Sequence, residues 1–308
     1  MSRMSERLRE VPRPAPEAKM PVATRLPRCI DEPGPTAVVT AARRLNRAAG
    51  TIAASVLIDS AMEHYRGNFH NKAMWAPLVT SSLSIGASIH GLSDRRHRAH
   101  PVRDLVYAIA GLVGAIGTGF HIYNVTKKVG GFNWQNVFYS APLGAPAAIS
   151  LSGLIGFLAE RVRDNEPDGE PDVFGLPAGR IVAATTAVSL LATTAEAGLL
   201  HFRGAFHNPA MLLPVTMPPG AAALLGAAAA GDAAKDRGGS RLWMAATAAM
   251  GVAGVAFHAY GVSRGSGGWR NWRQNAIAGP PLPAPPSFTG LALAGLAALA
   301  LLREHARD

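Results

Sequence analysis

Six histidines, two acids and two arginines occur in this chain at matched positions. His64, His70 and His121 recur as His201, His207 and His258, each 137 residues later; Asp59 is answered by Glu196 and Arg66 by Arg203. Imidazole ligates haem iron, copper, zinc and non-haem iron, and a thioether such as Met74 or Met211 suits copper or a haem axial position. A b-type haem needs only axial ligands. His64 with His121, and His201 with His258, are therefore candidate haem b ligands, with Arg66 and Arg203 available to haem propionates. Asp59 and Glu196 are candidate proton-transfer groups for a quinone site. The alternative is a non-haem iron, copper or zinc site built from His64, His70, His121, His201, His207 and His258. No Cys-x-x-Cys-His occurs, which excludes c-type haem, and no His-Glu-x-x-His supports an established metal spacing.

The matches extend along the chain. His64-Tyr65-Arg66-Gly67-Asn68-Phe69-His70-Asn71 falls on His201-Phe202-Arg203-Gly204-Ala205-Phe206-His207-Asn208. Pro77 falls on Pro214, and Gly114, Gly117, Phe120, His121 and Tyr123 fall on Gly251, Gly254, Phe257, His258 and Tyr260. After a two-residue insertion Pro142 and Pro146 meet Pro281 and Pro285, and Asn136 meets Asn275. Self-similarity at one fixed offset is the mark of a duplication. Gly114, Gly117 and His121 stand at i, i+3 and i+7, on one face of a helix. A glycine surface beneath a histidine has room for a flat cofactor or for another helix backbone. Gly114, Gly117, Gly251 and Gly254 therefore join the candidate cofactor-binding residues. Glu63, His90, His97 and His100 have no counterparts and read as ordinary.

The elements that must carry these residues are membrane helices. The 308 residues are 48% hydrophobic and only 16% charged, against about 25% charged in ordinary soluble domains. Runs such as Leu105–Val125 are long enough to cross roughly 30 Å of hydrocarbon. This excludes a soluble globular enzyme and a nucleic-acid-binding domain, although the net charge is +10. Hydropathy predicts eight spans, near 48–65, 73–92, 105–125, 137–159, 180–200, 210–230, 242–262 and 286–302. The fold class expected is an all-α integral membrane protein of two parallel four-helix repeats, related by a pseudo-twofold axis along the membrane normal.

The expected organisation is a disordered basic tail over 1–47, a first repeat over 48–163, an acidic Pro/Gly linker over 164–179 and a second repeat over 180–308. Of the 30 Lys/Arg, ten lie in residues 1–47. No apolar core follows the first basic residues, so no secretory signal is expected. The single cysteine, Cys29, excludes an internal disulfide framework. Charge bias places both termini in the cytoplasm, in a bacterial inner membrane, and gathers the duplicated residues at the outer face.

The expected partners are the lipid bilayer, a quinone and an exported oxidoreductase subunit, with no nucleic acid. Two four-helix bundles side by side are similar in architecture to the membrane subunits of polysulfide-reductase-type complexes, and that likeness implies quinone work. A structural anchor or a transporter without cofactor is the remaining reading.

Overall fold

The computed structural model describes residues 36–166, 171–231 and 238–304. They form α1 (Ala37–Arg66), α2 (Ala76–Ser93), α3 (Pro101–Thr126), the short α4 (Trp134–Tyr139) and α5 (Gly144–Arg163). A small hairpin follows, β1 (Asp172–Val173) antiparallel to β2 (Leu176–Pro177). Then come α6 (Ala178–Arg203), α7 (Leu213–Ala230), α8 (Gly238–Ser263), the short α9 (Trp272–Ala278) and α10 (Pro286–Glu304). Among the described residues six helices are long and apolar enough to cross a membrane: α3, α5, α6, α7 with the turn before it, α8 and α10. The described residues are almost entirely helical, and these six apolar helices mark the chain as an integral, multi-pass membrane protein. α1 and α2 fall outside that set, because charges punctuate α1 and serines dilute α2.

α1 begins at Ala37, upstream of the start near 48 expected from hydropathy. The Thr36 side chain accepts from Val39 N, and Val38, Val39, Ala41, Ala42 and Leu45 are buried at helical spacing. Arg43, Arg44 and Arg47 lie between and beyond them and mask that stripe in a window average. The rest of the expected tail, residues 1–35, lies outside the described residues, as do residues 167–170 of the expected linker.

α1 packs on α2, α5 and α10, while α6 packs on α7 and α10 and also meets α5. α3 lies on α5 and α8 on α10, each by a backbone approach that only glycine permits. A Cβ at Gly153 would stand 2.6 Å from Tyr107 O, and one at Gly251 would stand 2.8 Å from Pro285 O. The outward sides of α3 and α8 expose Leu105, Leu112, Ile116, Leu242, Val252 and Phe257, apolar surface suited to lipid.

At the end of the bundle where α2 runs into α3, repeat 1 contains an ionic lock that sequence comparison of the halves does not show. Arg103 Nε and Nη2 donate to the two Glu160 oxygens at 2.9 and 2.8 Å, and its Nη1 donates to Asp94 Oδ2 at 2.9 Å. Arg163 donates to the carbonyls of Gly91, Asp94 and Arg96. Glu160 also accepts from His100 N. Arg103, Arg163 and Glu160 are all but fully buried. The aligned positions in repeat 2 are Ser240, Leu302 and Leu299, with Gly231 at the place of Asp94. Close by, Tyr107 OH donates to Asn46 Oδ1 and accepts from Ser88; repeat 2 has Met244, Ala183 and Leu225 there. One half closes this end with charge, the other with leucine.

Burial pushes the Asp94 carboxyl up, but hydrogen bonds from the Arg96 side chain and backbone and from Arg103 outweigh it. They hold the group well below the ordinary carboxylate range. A depressed folded value stabilises the fold at pH above the unfolded value and is lost as pH falls through the folded one. The Asp94 contribution is thus expected to persist at neutral pH and disappear only in strong acid. A pH series of thermal unfolding on Asp94→Asn and the parent checks this: the gap between them should narrow only at low pH.

Candidate functional site

The duplicated residues gather at the other end, where α1 and α6 finish. After α1 the chain takes two left-handed residues, Asn68 (φ 52°) and Phe69 (φ 45°); after α6 it does the same at Ala205 (φ 54°) and Phe206 (φ 46°). Left-handed backbone costs a non-glycine residue about 1–2 kcal/mol, so surrounding bonds must hold it. Phe69 N donates to His64 O and Phe206 N to His201 O. Asn71 and Asn208 then cap a single 3-10 turn each, accepting from Ala73 N and Ala210 N. Asn136 and Asn275 tie the later glycine turns by the opposite bond, each donating its side-chain amide to backbone carbonyls of its own loop.

The histidines share one chemical arrangement. His64 Nδ1 lies 2.6 Å from Met74 O and His201 Nδ1 lies 2.8 Å from Met211 O. His121 Nδ1 is 2.7 Å from Pro142 O, and His258 Nδ1 is 2.6 Å from Pro281 O. A carbonyl only accepts, so each Nδ1 carries a proton, and in the neutral ring it is Nε2 that keeps the lone pair. All four rings are half-buried. His70 and His207 make the same kind of bond to their own turns, at Gly67 O and Gly204 O, and are exposed.

The duplicated prolines explain which carbonyls are taken. The 3-10 turn at 72–75 places Met74 O opposite residue 77, a proline without N–H; Met211 O faces Pro214 in the same way. Pro142 O and Pro281 O have Pro146 and Pro285 four residues on, again with no N–H to give. His64, His201 and His121 each supply a donor that a proline withholds, whereas Pro281 O, the partner of His258, also accepts from Ala284 N at 3.3 Å. Losing that donor leaves a carbonyl short of a partner, a cost of about 1–3 kcal/mol. His121→Ala is therefore expected to lower the melting temperature in step with that cost, while His207→Ala, at an exposed local bond, should leave it nearly unchanged.

His121 lies within electrostatic reach of both His64 and Glu196, and His201 within reach of His258. Glu196 crosses between halves: its Oε2 accepts from Gly144 N at 3.0 Å, at the start of α5, and its Oε1 is buried without a hydrogen-bond partner. Asp59 lies within reach of Glu196, Glu63 and Arg66. It cannot repeat the Glu196 bond, because Pro283 stands where α5 has Gly144. The arginines have diverged. Arg66 pairs with Glu63 at 2.7 Å, whereas Arg203 donates to Val137 O and Ser140 O and lies over the Phe138 ring.

Two expectations change. The glycine face offered to a flat cofactor is filled by helix backbone. A Cβ at Gly114 would stand 2.7 Å from Pro146 O, and at Gly117, Gly251 and Gly254 it would meet Pro146, Thr289 and Pro285. These four glycines seat α3 on α5 and α8 on α10, and so aim His121 and His258; they do not line a cofactor slot. The methionines also pack inward, with the Met74 and Met211 methyls against Gly67 and Gly204. Among the described residues, no three His, Cys, Asp or Glu side chains converge as a metal ion would require. The chain matches no family model, no curated protein and no solved structure.

Proposed function

We propose that the chain is the membrane subunit of an electron-transfer system. In this reading eight spans form two parallel four-helix repeats about a pseudo-twofold axis. The termini are cytoplasmic and the paired histidines sit at the outer face of a bacterial inner membrane. His64 with His121, and His201 with His258, are the ligand pairs for haem b or for contact with a quinone, and a partner oxidoreductase exported across the membrane supplies or takes the electrons. The observation that supports this is the set of four half-buried imidazoles whose Nδ1–H is fixed on a backbone carbonyl. That bond selects the Nδ1–H tautomer of the neutral ring and orients it, as the outer-shell hydrogen bond of a ligating histidine does. The donor set fits a bis-imidazole haem, which would supply one-electron chemistry when bound.

The chain's own residues divide the remaining work. Glu196 and Asp59, within electrostatic reach of each other, take up or release protons. Arg66, in an exposed pair that contributes little stability, is free to exchange Glu63 for a propionate, whereas Arg203 is committed to α4. The double substitution His121→Ala, His258→Ala tests the assignment. It should abolish the haem spectrum and lower the stability; a variant that keeps the full spectrum would overturn the ligand roles.

A second reading has its own support. Three of the four carbonyls bonded by these histidines, Met74 O, Met211 O and Pro142 O, are ones that duplicated prolines leave short of a donor. A purely structural role follows, and under it the double variant loses stability from a protein that carried no cofactor.

A further inference from the structure

A groove of about 410 Å³ runs along α1 between α2 and the segment entering α10. Its walls include Gly50, Ala54, Ile58, Ile85, Ile89 and Pro283. The polar side chains on those walls are already satisfied within the protein. Asn46 and Ser88 are joined through Tyr107 OH, Thr51 donates to Arg47 O, and Ser55 bonds to Pro283 O and Ser287. What the groove offers an occupant is hydrocarbon, with one exception. Arg47 stands at one end, exposed, and its guanidinium has no hydrogen-bond or ion-pair partner among the described residues.

We propose that this groove binds one anionic phospholipid, its phosphate on Arg47 and an acyl chain along Gly50, Ala54 and Ile58 against Ile85 and Ile89. From Arg47 to Ile58 the helix rises about 17 Å, close to half of the roughly 30 Å hydrocarbon core. The length fits the chain of a lipid in one leaflet, with the cation at the headgroup level. A lone cation beside a dry apolar trough selects an amphiphile with one negative end. The lipid would fill the seam between α1 of the first half and Pro283 and Pro286 of the second, joining the halves where direct packing leaves a gap. The second half does not repeat the residues that build it: Ala184, Leu191 and Leu225 stand at the places of Arg47, Ala54 and Ser88. The groove is therefore separate from the duplicated histidine chemistry, and this proposal rests only on the membrane location.

Native mass spectrometry of the full chain in detergent, titrated with phosphatidylglycerol and with phosphatidylcholine, tests it. Phosphatidylglycerol should be retained at one per chain. Arg47→Ala should weaken it about fivefold, to the level of phosphatidylcholine. Ala54→Trp should displace both lipids, and Ile89→Trp, at the rim, does the same job if the first variant fails to fold. Equal retention of the two lipids with no effect of Arg47→Ala would overturn the headgroup assignment. Competition by inorganic phosphate would show an anion site without a chain, and copurifying isoprenoid quinone in the groove would show a different occupant; either result overturns the proposal.

Discussion

Glu160→Gln should cost this protein about 3–5 kcal/mol of stability, the range measured when one partner of a buried ion pair is removed. Glu160 is fully buried, and both of its oxygens accept from Arg103, itself 1% exposed. The amide leaves the guanidinium with one acceptor fewer and no neighbouring carboxylate except Asp94. His100 N also depends on Glu160, so the entry into α3 loosens as well. The second half of the chain supplies the control. It closes the equivalent place with Leu299 and Leu302, both buried, and apolar replacement of a whole buried ionic group is often neutral or stabilising. The combined change Asp94→Gly, Arg103→Ser, Glu160→Leu, Arg163→Leu is therefore expected to cost less than Glu160→Gln alone. Thermal unfolding of the three proteins in one detergent measures the order. A combined variant less stable than the single one would contradict this account of the lock.

Gly114→Leu should be damaging for a different reason, and its damage should reach the site. The added Cβ meets the backbone of α5 at Pro146, which cannot swing aside as a long side chain would. Forced overpacking of this kind costs about 1–3 kcal/mol, and the response open to the bundle is separation of α3 from α5. That separation draws His121 away from Pro142 O and spoils its ring orientation. Gly119→Leu is the matched control, since a Cβ there meets nothing within 4 Å; it should be neutral or slightly stabilising, as glycine is a poor helix former. Nitrogen-15 chemical shifts of the histidine rings report the tautomer directly. Loss of the Nδ1–H form at His121 in Gly114→Leu, with Gly119→Leu unaffected, is the expected pattern.

The helices and the site end of the bundle were readable from the sequence because hydropathy and duplication are both patterns of repetition. The exceptions have physical causes. The first turns of α1 were hidden because arginines interleave with its buried alanines and valines. The glycine faces were ambiguous, since a bare helix surface suits a cofactor and a neighbouring backbone equally; only the placement of α5 and α10 decides. The proline pairs stood out as possible helix breaks, but the carbonyls they leave short lie 10 to 21 residues from the histidines that serve them. Local spacing cannot show that link. The ionic lock of Asp94, Arg103, Glu160 and Arg163 escaped because it exists in one half only, and comparing the halves finds what they share. His100 and His90 read as ordinary, and they sit beside that lock, with His100 N bound to Glu160 and the two rings edge to face at 5.0 Å.

The most direct measurement is a pair of visible spectra, oxidised and dithionite-reduced, on the detergent-purified full chain, with metal analysis of the same sample. A sharp reduced α-band with stoichiometric iron is the result expected if the four fixed imidazoles are haem ligands. A colourless, metal-free protein whose stability falls on substitution of His121 and His258 would contradict that claim and assign these histidines to their backbone carbonyls alone.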